Sequence, residues 1–218
     1  MTAADVRRLA KRGEGVTLEF KHRTPEPERL AKEVIAFANT NGGRVLIGVD
    51  DDGTVLGVKD SEEEEYALRI ALETHCSPPL KWRTERVEIS RKRDVIVIAV
   101  QRSTERPHGL LSSNGHSDSI PYVRVDDRSI EASSEAVQLM LVDKDRQDVQ
   151  FEFGDYELTL MKYMEEYGRI GVRSFSRLVD ITIDRARMIL VLMTRAGILS
   201  HHLDFDDDYF TLAYNRVN

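Results

Sequence analysis

The sequence predicts an α+β fold: a mixed or antiparallel sheet with helices covering one face, followed by a small C-terminal winged helix-turn-helix-like domain. Three observations predict it. Segments of strand period and helix period alternate through the first part of the chain. Glycine and proline pairs (Gly42-Gly43, Pro78-Pro79) separate them. A charged stretch, Asp143–Glu152, then precedes three amphipathic segments and a hairpin pattern, which sets the expected domains at 1–145 and 153–218.

In the first domain, Thr17–Lys21 alternates, with Leu18 and Phe20 on one side and Glu19 and Lys21 on the other, as a half-buried strand does. From Glu28 to Asn39, Leu30, Val34 and Phe37 recur at helical spacing, widened by Ala31, Ile35 and Ala38. Asn41-Gly42-Gly43 ends that helix. Arg44–Val49 reads as a buried strand, Asp50–Gly53 as a turn and Thr54–Val58 as its hairpin partner. Glu62–His75 is a second helix, its leading glutamates complementing the positive helix end. Strands follow at Trp82–Ile89, Val95–Val100 and Tyr122–Val125, and Ser133 or Ser134 caps a helix to about Leu141. In the second domain, Leu158–Tyr167, Val172–Val179 and Asp184–Arg195 are expected helices, and Ile198–Leu203 and Tyr209–Ala213 a hairpin around Asp206-Asp207-Asp208.

Composition narrows the function classes. With 31 basic and 38 acidic residues the formal net charge is −7, so any grip on nucleic acid is local rather than global. The single cysteine, Cys76, makes no internal disulfide or multi-cysteine zinc site. No run of 18 apolar residues and no secretory pattern at Met1–Lys11 point to a cytoplasmic protein without a membrane partner.

Three acids form the candidate catalytic group. Glu19 lies on the polar face of the first strand, Glu14 precedes it through Gly15, and Asp51 sits where the Arg44–Val49 strand enters its turn. If the strands are neighbours, these carboxylates converge and could hold Mg²⁺ or Mn²⁺ through hard oxygen ligands, with Lys21 steadying a phosphate. Asp50-Asp51-Asp52-Gly53 equally suits a plain turn, because aspartate bonds local backbone and glycine takes unusual torsions. Gly42-Gly43 is likewise either a tight turn or a close approach to a ligand; it is not a P-loop.

At Leu18-Glu19-Phe20-Lys21, at Ala36–Gly43 and at Leu46–Asp51 the sequence resembles the Schlafen AlbA-like domain, also described as a divergent AAA-associated or DNA-binding domain. Gly53, Val55, Gly57, Pro78-Pro79, Arg106-Pro107-His108 and Tyr122–Val125 extend the likeness over roughly residues 9–138. The resemblance implies a nucleic-acid-binding role. In nuclease members three acids, matching Glu14, Glu19 and Asp51, support divalent-metal cleavage of structured RNA, and Lys21 matches the lysine after the second acid. Those animal enzymes use a duplicated core, and this chain carries one apparent copy, so a homodimer would supply the second lobe.

The expected nucleic-acid surface comprises Lys21, Arg44, Arg102, Arg106, His108, Arg124 and Arg128, with Tyr122 able to stack on a base. In the second domain Arg185 and Arg187 reach toward phosphates or base edges, while Met188, Val191 and Leu192 suggest dimerisation or partner contact. The acidic hairpin tip would repel a DNA backbone, and His201-His202 suits a polar hairpin. The primary reading is a regulatory or defence-related nucleic-acid-binding protein that needs no cofactor. The alternatives are a Mg²⁺- or Mn²⁺-dependent endoribonuclease and a non-enzymatic scaffold.

Overall fold

The computed structural model describes residues 1–111, 119–142 and 153–213. It divides the chain into two units, Met1–Ala132 and Ser133–Asn218. The expected linker lies outside the described residues. The helix from Ser134, read from the sequence as closing the first domain, falls in the second unit.

The first unit begins with a helix that its basic composition hid. In α1 (Ala3–Ala10), Thr2 and Asp5 form a capping box, and Val6 and Ala10, four residues apart, are buried. Then come β1 (Leu18–Lys21), α2 (Pro27–Asn39), β2 (Gly43–Ile47), α3 (Ser61–His75) and β3 (Cys76–Ser77). The unit ends with β4 (Trp82–Ser90), β5 (Arg93–Val100), β6 (Gly109–Leu111), β7 (Ser119–Val125) and β8 (Arg128–Glu131).

The main sheet has the order β1-β2-β5-β4, with β1 parallel to β2 and the remaining pairs antiparallel, so it is mixed. One face carries Val45, Ile47, Ile96, Ile98 and Val100 into a core with α2 and α3. The opposite face, Leu18, Phe20, Leu46, Val95 and Val97, packs against Val6 and Ala10 of α1, so helices lie on both faces of this sheet. A second, antiparallel sheet, β3-β6-β7-β8, packs on α2 through β7.

The expected hairpin partner at 54–58 is not a strand. Only Val49 and Val55 form a bridge, and Val58 instead bridges Asp94. Gly48 explains this. It takes φ +100°, its carbonyl accepts from both Leu56 and Gly57, and a Cβ there would lie 2.9 Å from the Gly57 Cα. The chain therefore runs back alongside only from Thr54 to Leu56, opposite Gly48–Asp50, and Val58 then turns to Asp94.

In the second unit α4 (Ser134–Val142), α5 (Asp155–Tyr167), β9 (Arg169–Ile170), α6 (Val172–Leu178) and α7 (Ile183–Arg195) precede the hairpin β10 (Leu199–His202) and β11 (Tyr209–Leu212). The sheet order is β10-β11-β9. Ala186, Ile189, Leu190 and Met193 of α7 point inward with Phe175, Leu160 and Phe210.

Candidate nucleic-acid interface

The three acids and Lys21 occupy one electrostatic neighbourhood, though not as a metal site. Glu19 follows Leu18 on β1, and alternation turns it toward the face covered by α2. It is buried there, bonded through one oxygen to Lys21 and through the other to Arg124 Nη2 at 2.5 Å. The Glu14 carboxylate loops back to accept from the Phe20 N–H at 2.8 Å. Burial raises the Glu14 pKa, opposed by that hydrogen bond and by Lys21, while the charges of Glu19 and Asp51 push it further up. Asp51 is exposed in the turn after β2.

The donor set does not fit a divalent cation as arranged. A hard cation needs free carboxylate oxygens, yet both Glu19 oxygens face cationic side chains. Among the described residues no group of three or more His, Cys, Asp or Glu side chains is placed to hold a metal.

Arg124 is the main correction to the expected surface. On β7 it is 2% exposed, and its guanidinium lies 4.9 Å from the Phe37 ring centroid. It donates to Glu33 at 2.8 Å, to Ser129 and to the carbonyls of Gly15 and Leu18, besides Glu19. Such a buried, fully engaged guanidinium has no donor left for a phosphate. Sequence reading placed it on a nucleic-acid surface because sequence cannot show which face of β7 meets α2.

Two neighbours are also internal. Arg106 is buried and donates to the Asn39 carbonyl. His108 is 1% exposed, with Nδ1 2.8 Å from the Pro78 carbonyl and Nε2 2.7 Å from Ser103 Oγ. Asn39 completes this network: its amide donates to the carbonyls of His108 and Tyr122 and accepts from the His108 N–H. These residues hold the loop after β5 in place. Tyr122 is partly buried beneath Lys32, whose ammonium lies 4.9 Å from the ring, so its face is already covered. Arg128 is exposed at the start of β8.

The open concavity lies at the other end of β2 from Asp51. A cleft of about 790 Å³ runs over the strand ends where β2 and β4 begin and β5 finishes. Arg44, Lys81, Arg83 and Arg102 line it with Trp82, Gly42 and Gly43, and Glu105 is the one acid of its lining among the described residues. None of Glu14, Glu19 and Asp51 reaches it. The register explains the charge: Arg44 and Arg83 both pair with Ala99 of β5, one from each side. Two strand spacings put their Cα atoms ~10 Å apart on one face, over a side chain too small to fill the gap. Arg44, Lys81 and Arg83 are exposed and make no ion pair among the described residues.

The glycine pair has a structural cause. Gly42 takes φ +73°, and a Cβ there would sit 2.8 Å from the Val100 carbonyl oxygen and the Arg102 nitrogen; one at Gly43 would strike the Phe37 ring. Sequence reading found Arg44 and Arg102 but missed Lys81, Trp82 and Arg83. Their signal was the alternation of base, aromatic and base one residue after Pro78-Pro79.

In the second unit Arg185 is exposed and lies 5.2 Å from the Tyr156 ring centroid. Arg187 instead pairs with Asp184 at 2.6 Å and Glu135 at 3.4 Å, which directs it into its own unit. Asp208 of the acidic hairpin is buried rather than displayed, bonded to Ser133 at 2.5 Å and His201 at 2.8 Å. Met188 is exposed beside Leu141, Val142, Val191 and Leu192, around a groove of about 240 Å³.

A family model described as Schlafen, AlbA_2 matches residues 14–133. Among solved structures, the DIP2311 protein of Corynebacterium diphtheriae is similar at 17% identity and TM-score 0.44; the match covers 91% of this chain and 34% of that one. This chain thus spans about a third of that protein's length. The N-terminal domain of a RecG-related protein from Nitrosomonas europaea is similar at 16% identity and TM-score 0.43, over 71% of this chain and 98% of that domain. No helix among the described residues is long and apolar enough to cross a membrane.

Proposed function

This chain belongs to the Schlafen AlbA_2 family, and we propose that it is a nucleic-acid-binding protein whose contact surface is the cationic cleft of the first unit. One observation carries the reading: Arg44, Lys81 and Arg83 project, without acidic partners among the described residues, into a concavity they share with Trp82, the Gly42-Gly43 backbone and Glu105. Unpaired cations around a groove are what a phosphate backbone requires, and they supply local positive potential on a chain whose net charge is −7. Binding needs no cofactor.

A metal-dependent endoribonuclease draws support from the shared neighbourhood of Glu14, Glu19 and Asp51. The engagement of Glu19 with Lys21 and Arg124 weighs against it, as does the separation of these acids from the cleft. The second unit is read as a winged-helix-like module for homodimer or partner contact. Its apolar groove at Met188 supports that role, and the pairing of Arg187 with Asp184 and Glu135 speaks against direct base readout.

Fluorescence anisotropy with labelled RNA and DNA oligonucleotides tests the reading. The wild-type chain binds, and the double variant Arg44→Gln/Arg83→Gln, with unchanged circular dichroism, binds more weakly across all sequences. Equal affinity of the double variant refutes the cleft. Cleavage that appears with Mn²⁺ and vanishes in Asp51→Asn reinstates the nuclease.

A further inference from the structure

We propose that the cleft selects unpaired, single-stranded nucleic acid, with a base stacked on Trp82 and its flanking phosphates held by Arg44 and Arg83. This rests on the nucleic-acid reading above and adds to it a choice of strand state. The register assigns the two kinds of contact to opposite faces of the sheet. Trp82 pairs with Val100, whose side chain enters the core with α2 and α3, so the indole is on that face. Arg83 and Arg44 pair with Ala99 and therefore lie on the α1 face. The cleft lining contains all of them because it passes over the strand ends that join the faces.

A ligand using both must bend around those ends, with base toward one face and backbone toward the other. Single strands can do this, since their bases splay away from the backbone and stack on aromatic rings. A duplex cannot, because its base faces are covered by neighbouring pairs and only edges are open in the grooves. Size agrees: about 790 Å³ is the scale of a site for one drug-sized molecule, hence for a very few nucleotides rather than a double helix. Trp82 is partly buried against the core, so the ring is held in place and one face pays little ordering entropy on stacking.

Trp82 is also the chain's only tryptophan, so its emission reports this site alone. Titrating the full chain with unlabelled single-stranded DNA and RNA, and with a blunt duplex of equal length, is expected to quench that emission with the single strands and leave it nearly unchanged with the duplex. The quenching midpoint should coincide with the anisotropy midpoint. Trp82→Leu is expected to lose roughly 5- to 160-fold in single-strand affinity, the range of one base–aromatic stack, and Trp82→Phe to retain most of it. Anisotropy without quenching, or equal quenching and affinity with the duplex, overturns the proposal while leaving nucleic-acid binding intact. Absence of any anisotropy change with every oligonucleotide removes both. The quenching measurement needs no variant, so it decides the matter even if Trp82→Leu folds poorly.

Discussion

Replacing Arg124 by alanine removes the charge at the centre of the first unit. Its guanidinium makes five hydrogen bonds, to Glu19, Glu33, Ser129 and the carbonyls of Gly15 and Leu18, and the side chain is fully enclosed. Without it, Glu19, with a side chain 7% exposed, keeps only Lys21, and Glu33, 13% exposed, keeps only Ser129. Breaking a buried ion pair on one side costs about 3–5 kcal/mol, mostly from the charge left behind. With a urea dependence near ~2 kcal/mol/M for a unit of this size, the midpoint should fall by about 2 M. Trp82 fluorescence follows the transition, because the indole packs against the core of the same unit. Arg124→Lys should recover little, since an ammonium cannot span both carboxylates and the carbonyls at once. The double variant Arg124→Met/Glu19→Met should be more stable than Arg124→Met alone, because the orphaned carboxylate is gone. A fall below about 0.5 M for Arg124→Ala, or strict additivity in the pair, would refute the view that Glu19 is held as the partner of Arg124. The same reasoning makes Glu19→Ala a poor probe of catalysis, because loss of activity would be confounded with loss of fold.

Glu14 and Asp208 carry opposite pH dependences. The Glu14 pKa is raised, first by burial, so its charged form opposes folding; that penalty is relieved as pH falls through the raised value and is gone below the ordinary 4.5. Glu14→Gln, which can still accept from Phe20, should therefore match or exceed wild-type stability at pH 7 in urea titrations; a clear loss would contradict this. Burial pushes Asp208 up, but hydrogen bonds from His201 and Ser133 outweigh it and leave the carboxyl below its ordinary 3.8. Its contribution is present above that value and lost as pH falls through the lower folded one. Amide NMR signals of β10–β11 should then melt with acid in wild type and show a flatter acid dependence in Asp208→Asn; identical profiles would exclude the role.

The fold class was legible because the signals were local. The stripe Leu30, Val34, Phe37 names α2 and its buried face, and the apolar run Val95–Val100 names a central strand. α1 was not, since its burial rests on only two inward residues, Val6 and Ala10, amid basic ones. The hairpin at 54–58 failed because Gly48 redirects the chain, and a positive φ leaves no mark in hydropathy.

The site was legible in part. The sequence expectation that Glu14, Glu19, Lys21 and Asp51 border neighbouring strands rested on β1 and β2 being adjacent, and they pair in parallel. It could not show that Arg124, 105 residues away, neutralises Glu19 from inside. Nor could it show that the cationic cleft opens at the other end of β2, because Arg44 and Arg83 become neighbours of Ala99 only through strand pairing. The expectation that Lys21, beside the acids, shares one surface with Arg44 and Arg102 is the reading the structure alters most.

The most direct test is the salt dependence of single-strand affinity. Each phosphate neutralised contributes about −0.7 to the slope of log affinity against log salt, so contacts from Arg44, Lys81 and Arg83 predict a slope near −2. Between about 50 and about 200 mM salt wild type should lose roughly 18-fold, and Arg83→Gln, with two contacts left, roughly 7-fold. A slope unchanged by Arg83→Gln and by Arg44→Gln would place the nucleic acid elsewhere on the chain and contradict the account.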